Sequence, residues 1–411
     1  MNEVAASLRV STAHFCISKI VGNRRKPGLK KVGAKRKDEI SIAKIEERQR
    51  GLTKKILSCF AQRGPPFEHT PNPESDGKRR ADRGREVRHK IKEMIGGDQP
   101  AVDVVDVSAA TLGSLCNDGL LEPIEASSLG AAPSGESAEQ DFYSGGLSSC
   151  GVASVAWSTA IAFDRQAFSK TQPSQIADLL DTKKFPGKRT LPDGARYTLE
   201  LALLADGVDP AEVYTQLATP EGADRAFKAL DKIKADVYWW DNAQEPITWL
   251  LEKKVVMAAG YNGRIFRATV GDRQRLGMIW DGQVYDLDLW AIPKGAKNKD
   301  AAMKFISFAT DPARLATQAQ LIAYGPMRKS ALDLVGKHPV IDVEMKDFLP
   351  TAPDNFKKAL KFDDTWWTAH GEELQKRFEN WRGPLAPGQG KPAIVQAQPE
   401  EPATGATQAA P

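Results

Sequence analysis

From Ala101 to Gly383, short apolar strands alternate with helical segments, and this alternation constrains the fold more than any other feature. AVDVVDV (101–107) is β-branched and partly alternating, as a buried strand requires. Ser108 follows directly, and AATLGSLCNDGLLEP continues as a short helix ending near Asn117 to Gly119. VASVAWSTAIAFDRQAF (152–168) is a long β-rich run. PSQIADLLDT reads as a short helix capped by Ser174, FPGKRTLP as leading a strand, and DGARYTLELALLADGV as a helix with Leu199, Leu203 and Leu204 on its apolar face. PEGADRAFKALDKIKADVYWW and EPITWLLEKKVVMAAGYNGRIF each give a helix and then a strand. QVYDLDLWAIPKG is a further strand, and two helices meet near Pro312. Strands separated by helices build an open α/β sheet, which takes ligands at the carboxyl ends of its strands. Ser108 lies at such an end.

The front of the chain is different material. Residues 1–100 carry 24 Lys and Arg against 12 Asp and Glu, while all nine Trp lie at or after Trp157. Two basic stretches, Arg24–Lys37 and Lys78–Lys92, flank the Pro-rich RGPPFEHTPNPESDGK. No aromatic residues interleave with the basic ones, so a base-stacking platform is not built here. Residues 1–85 are read as a solvated or misread extension, and a nucleic-acid-binding arm is the alternative. The Pro-, Ala- and Gln-rich 384–411 is read as a disordered tail. The start lacks the basic-then-apolar plan of a secretory signal. No apolar run approaches the ~18 residues that a membrane span needs. The four Cys and five His show no CxxC or HExxH spacing, so neither metal nor cofactor is expected. Nucleophile elbows and phosphate loops are also absent, which argues against an enzyme.

Several segments together resemble the periplasmic spermidine/putrescine-type solute-binding proteins of ABC importers. They are AVDVVDVSAATLGSLCNDGLLEPIE (101–125), VAWSTAIAFDRQAF (155–168), DLLDTKKFPGKRTLPDGARY (178–197), YWWDNAQEPITWLLEKKVVMAAGYNGR (238–264) and YDLDLWAIPKGAKNKDAAMKFISFATDP (285–312). The resemblance implies an α/β fold of two lobes joined by hinge strands and closing on one solute, with the first lobe incomplete because residues 1–85 match nothing in the family. Lobe one is expected at 86–160 plus 289–325, and lobe two at 161–288 plus 326–383. Hinge strands are expected near Trp157–Phe163 and Tyr285–Ala291. The implied partners are a polyamine-like solute and a membrane permease, for a periplasmic monomer that binds no nucleic acid.

The residues supply matching chemistry. A polyamine needs aromatic faces and carboxylates. Tyr261 ends an apolar strand, with Asn262 and Arg264 in the turn beyond it. Alternation puts Asp286 and Asp288 on one strand face and Tyr285 on the other. By resemblance, Tyr261 matches an aromatic site position, Asp288 a ligand carboxylate and Asp286 an aromatic position. Ser108, Tyr285, Tyr197 and Tyr324 complete the candidate set. The family's paired acids would fall at Gly194 and Tyr197, and its aromatic at Ala110, so the cation-binding set is thinned. Arg196 and Arg264 suit a ligand carrying a carboxylate, which makes a carboxylate or amino acid the alternative solute. A second alternative is an enzyme using Asp286 and Asp288 as an acid–base pair. The resemblance also pairs Cys116 with Cys150, leaving Cys16 and Cys59 free. Two packing expectations complete the reading. One of Trp239 and Trp240 is core and the other exposed, and Lys183, Lys184, Lys188 and Arg189 form a solvated face.

Overall fold

The computed structural model describes residues 89, 91–95, 100–271, 276–385 and 390–392. The expectations for residues 1–85, for Cys16 and Cys59, and for most of the tail fall outside them.

Eight strands form one hydrogen-bonded sheet: β1 (Val105–Ser108), β2 (Leu147–Ser148), β3 (Gly151–Asp164), β4 (Arg189–Pro192), β5 (Val237–Trp240), β6 (Met257–Tyr261), β7 (Leu276–Ala291) and β8 (Leu360–Lys361). The order is β1-β7-β3-β6-β4-β5, with β2 beside β3 and β8 beside β7. The longer helices are α1 (Ala109–Asn117), α2 (Thr198–Ala205), α3 (Pro220–Asp231), α4 (Glu245–Leu251), α5 (Lys299–Ala309), α6 (Pro312–Leu321) and α7 (Asp364–Arg382). Parallel pairing of β4 with β5 and β6 is reached through helical crossovers: α2 and α3 separate β4 from β5, and α4 separates β5 from β6.

β3 and β7, of 14 and 16 residues, exceed the usual strand length of about 3–10 residues and pair antiparallel along most of it. Both expected hinge segments lie within them. Because these two strands serve the whole sheet, hydrogen bonding alone draws no line between lobes. The ladder is instead broken at Ala153/Val155 and at Thr159/Ile161. At the second break β7 jumps from Val284 to Ile279, and Gly282 turns there at φ 71°. A Cβ at Gly282 would lie 2.8 Å from Ile176.

Side-chain packing separates what hydrogen bonding joins. One core gathers Ile95, α1, β1, the end of β7, Ile306 and Met327. A larger one gathers Ile161, Phe163, α2, α3, Trp239, Trp367 and Phe378. A small cluster joins Phe266 to Ala316, Ala319, Leu332, Met345 and Leu349. All eight residues of α2 are buried, as in a helix enclosed on every side. α3 starts conventionally, with Pro220 in its first turn and the Thr219 hydroxyl accepting from the Gly222 N–H.

Four local expectations need correction. Trp239 and Trp240 are both buried, because β5 is covered on both faces: Trp239 packs in the larger core and Trp240 in a cluster with Ile247 and Leu250. Arg189 is not on a solvated face. It is fully buried, and its guanidinium donates to the carbonyls of Leu179, Asp181, Phe185 and Gly187, closing the loop before β4. The helix expected from Ser174 is a 3-10 turn at Ile176–Leu179, where the Asp178 carboxylate accepts from the backbone N–H groups of Ser174 and Gln175. Within the tail, Gly390 accepts a hydrogen bond from the Trp239 N–H on edge strand β5, and Lys391 reaches Asp241 and Glu245 at 3.0 and 2.9 Å.

Cys116 in α1 and Cys150 before β3 form a disulfide, with Cα atoms 6.0 Å apart. Among the described residues, no helix is long and apolar enough to cross a membrane.

Candidate functional site

Residues directly opposite in an antiparallel pair share a face. Asp288 lies opposite Ser108 of β1 and Val155 of β3, Asp286 opposite Trp157, and Thr159 opposite Tyr261. The register therefore gathers Ser108, Trp157, Tyr261, Asp286 and Asp288 onto one side of the sheet, across four strands. Trp157 is the centre of this group. Its indole N–H donates to Asp288 Oδ1 at 3.4 Å, and its ring meets Tyr261 edge to face at 5.3 Å. Tyr197 approaches Trp157 at 6.4 Å and stacks on Phe362 at 4.3 Å. Tyr197 holds φ at 65°, a left-handed conformation that is costly for an aromatic residue. The result is an aromatic wall facing carboxylates. A desolvated cation against such a wall gains about 2 kcal/mol.

The electrostatics are graded. Asp286 is buried and accepts the Leu287 N–H at 2.7 Å. Burial above all lifts its pKa to about 7, and Asp288 and Asp364 push the same way, while the Leu287 N–H and Lys361 oppose them. Asp364 opens α7 and pairs with Arg196 at 2.8 Å. Tyr324 packs over Gly263, where a Cβ would lie 2.8 Å from its ring. Its hydroxyl is pushed up by burial and by Asp288, and pulled down by Arg264. Tyr324 thus lies in the fields of a carboxylate and a guanidinium together.

Several sequence candidates take other roles. Asn262 is fully buried. Its Oδ1 accepts the Ser158 N–H at 2.9 Å and its Nδ2 donates to the Ala323 carbonyl, so it ties β3 to the segment before Tyr324. Tyr285 is not brought to the cluster. Strand alternation turns it to the opposite face, where it packs on Phe356 at 4.9 Å and lines a separate cavity of about 710 Å³ beside Leu204, Lys358 and Lys361. Burial pushes its hydroxyl up to about 12. Ser108 is on the right face, but its hydroxyl caps α1 through the Thr111 N–H at 3.4 Å. Arg264 is exposed and donates to Gln244 Oε1 at 2.9 Å. Arg196 is occupied by Asp364. Trp157, Phe362 and Asp364 were not among the sequence candidates. The period-two position of Trp157 with Thr159 in an apolar strand is the one available signal; nothing local marks the other two. Among the described residues, no cluster of His, Cys, Asp or Glu is gathered as a metal ion requires.

Comparisons with known proteins bear on the family and the fold. A family model described as bacterial extracellular solute-binding protein matches residues 83–346. A gamma-aminobutyric acid-binding protein of Pseudomonas aeruginosa is 41% identical over 292 residues, covering 71% of this chain and 79% of the relative. The spermidine/putrescine-binding periplasmic protein of Escherichia coli is 28% identical over 169 residues, 40% of this chain and 46% of the relative. Among solved structures, an ABC transporter substrate-binding protein from Bradyrhizobium japonicum has a TM-score of 0.59 at 30% identity, covering 71% of this chain and 86% of that one. A solved GABA receptor has a TM-score of 0.56 at 27% identity, covering 76% and 87%. The mixed sheet with its helical crossovers is accordingly a two-lobed periplasmic-binding-protein fold, and its relatives bind solutes rather than transform them. By the stretch matched and by the relatives that share it, the chain belongs to the bacterial extracellular solute-binding protein family.

Proposed function

We propose that this protein captures an ω-amino acid of the 4-aminobutyrate type in the periplasm and passes it to the membrane permease of an ABC importer. The observation that supports the reading is the aromatic group of Trp157, Tyr261 and Tyr197 beside the Asp288 carboxylate, with the Tyr324 ring seated over Gly263. The ammonium group of such a solute meets Asp288 while its methylenes lie on the faces of Trp157, Tyr261 and Tyr197, and its carboxylate takes Arg264 once that side chain leaves Gln244. The identity to a gamma-aminobutyric acid-binding protein supports this choice. A polyamine is the second reading. It is favoured by Asp286, on which the Asp288 and Asp364 carboxylates both act. The two cores would then act as lobes that close on the solute, with β3 and β7 as the hinge.

Titration calorimetry with 4-aminobutyrate, putrescine and spermidine separates the readings. Saturable binding of 4-aminobutyrate, tighter than that of either polyamine, is expected. Binding of putrescine or spermidine alone would move the assignment to polyamines, and binding of none would sink both.

A further inference from the structure

Behind the aromatic wall lies an acidic side chain that makes no contact in the cleft. Glu200 is the third residue of the wholly buried α2 and is itself fully buried. Its Oε1 accepts hydrogen bonds from Trp367 Nε1 and from the Tyr214 hydroxyl, the latter at 3.2 Å. The Tyr214 hydroxyl in turn accepts the Asp363 backbone N–H at 2.9 Å. Glu200 Oε2 is buried without a hydrogen-bond partner. A carboxyl group enclosed this way is expensive for the fold. Packing alone would be served by an apolar side chain. The cluster joins α2 and the nearby helical turn Val213–Leu217 to the start of α7, which is remote in sequence.

Both ends of the cluster reach the wall. Tyr197 immediately precedes α2, and its backbone N–H acts on the Glu200 carboxyl. Its ring stacks on Phe362, which immediately precedes Asp363. Phe362 lies parallel to Trp367 at 6.4 Å, and the Arg196 guanidinium sits 5.6 Å from the Trp367 ring while holding Asp364.

We propose that Glu200 is a positioning residue for the solute cleft: by holding Trp367 and Tyr214 it fixes the turn from Phe362 to Asp364 against Tyr197, and so sets the aromatic wall that the solute meets. The inference rests on the cleft reading above only for its affinity measurement. The clamp also responds to protons. Burial lifts the carboxyl to about 7, against the opposing hydrogen bonds from Trp367, Tyr214 and backbone N–H groups. Asp363 faces it through Tyr214, and Arg196 lies beyond the Trp367 ring. Neutral Glu200 leaves the cluster uncharged, whereas ionised Glu200 puts a charge into the core that burial disfavours and the surrounding donors only partly offset.

The test uses the full chain as wild type, Glu200→Gln, Glu200→Ala and Tyr214→Phe. NMR on the solute-free protein reads two signals: the nuclear Overhauser contact between the Tyr197 and Phe362 rings, and the Trp367 indole N–H shift from pH 5 to 9. Calorimetry then reads the affinity for 4-aminobutyrate. The indole signal should inflect near pH 7 in wild type and not in Glu200→Gln, which keeps the ring contact. Glu200→Ala and Tyr214→Phe should lose the ring contact and weaken 4-aminobutyrate about tenfold, the scale of one or two lost buried hydrogen bonds. If Glu200→Ala does not fold, Tyr214→Phe decides. A flat indole titration in wild type, or ring contact and affinity both unchanged in the folded variants, overturns the proposal. If wild type does not bind 4-aminobutyrate, the solute assignment fails, and the two solute-free signals still decide the role of Glu200.

Discussion

Asp286 and Asp288 lie two residues apart on the same strand face, yet burial gives them different work. Asp288 takes the Trp157 indole and its charge acts on Tyr324, whereas Asp286 is buried. Replacing Asp288 or Tyr261 with Ala should weaken solute binding by about 1–3 kcal/mol each, read by calorimetry, because a charge-assisted contact or an aromatic face is removed. Asp286 makes a different prediction. Its folded pKa, about 7, exceeds the usual carboxylate value of 3.8, so the native state holds a proton that the unfolded chain releases. Stability should therefore fall as pH rises from about 4 to about 7. Urea unfolding of Asp286→Asn across that range should show a shallower fall than wild type; Glu200 contributes with the same sign and remains in this variant. Alternation made the shared face of the two aspartates legible from YDLDLW. Their difference was not legible, because desolvation depends on what other strands and helices place above them.

At the scale of elements, most strands and helices were readable from period and turn chemistry, including the long β3 and the junction at Pro312, whereas of β7 only the part after Gly282 was read as a strand. The misreadings have physical causes. At Ser174 the Asp178 carboxylate competes for the backbone donors, and at Arg189 carbonyls from a preceding loop converge on a cation that composition marks as exposed. The Cys116–Cys150 bridge closes a separation of 34 residues and ties α1 to the start of β3. Its reduction should lower stability by about 3–4 kcal/mol, measured as a shifted denaturant midpoint with and without reductant. The break in β7 gives a second element-level prediction. Gly282→Ala should destabilise by about 1–3 kcal/mol in thermal unfolding, because the residue must hold a positive φ and its Cβ would strike Ile176.

For the whole molecule, the long-range ties decide which surfaces meet. Arg328 and Asp141 form an ion pair with both side chains fully buried, and Ser330 and the carbonyls of Gly130 and Thr310 complete it. Although burial alone would raise it, Asp141 is held below its usual pKa by Ser330 and Arg328. Asp141→Asn should cost about 3–5 kcal/mol in urea unfolding, since it strands a buried guanidinium. Bound solute acts in the other direction: a ligand at one hundred times its Kd should add about 2.7 kcal/mol, seen as a raised Tm.

The sequence by itself determined the α/β class, the order of the elements and the two aspartates on one strand face, because period, capping and alternation are local properties of the chain. The carboxylate–aromatic chemistry was also partly present there, in Tyr261, Asp286 and Asp288. Only the tertiary structure brought Trp157, Phe362 and Asp364 to that face and made Asn262 a strut. Those outcomes depend on register between strands more than a hundred residues apart and on which groups burial strips of water. Neither quantity is written in any single segment.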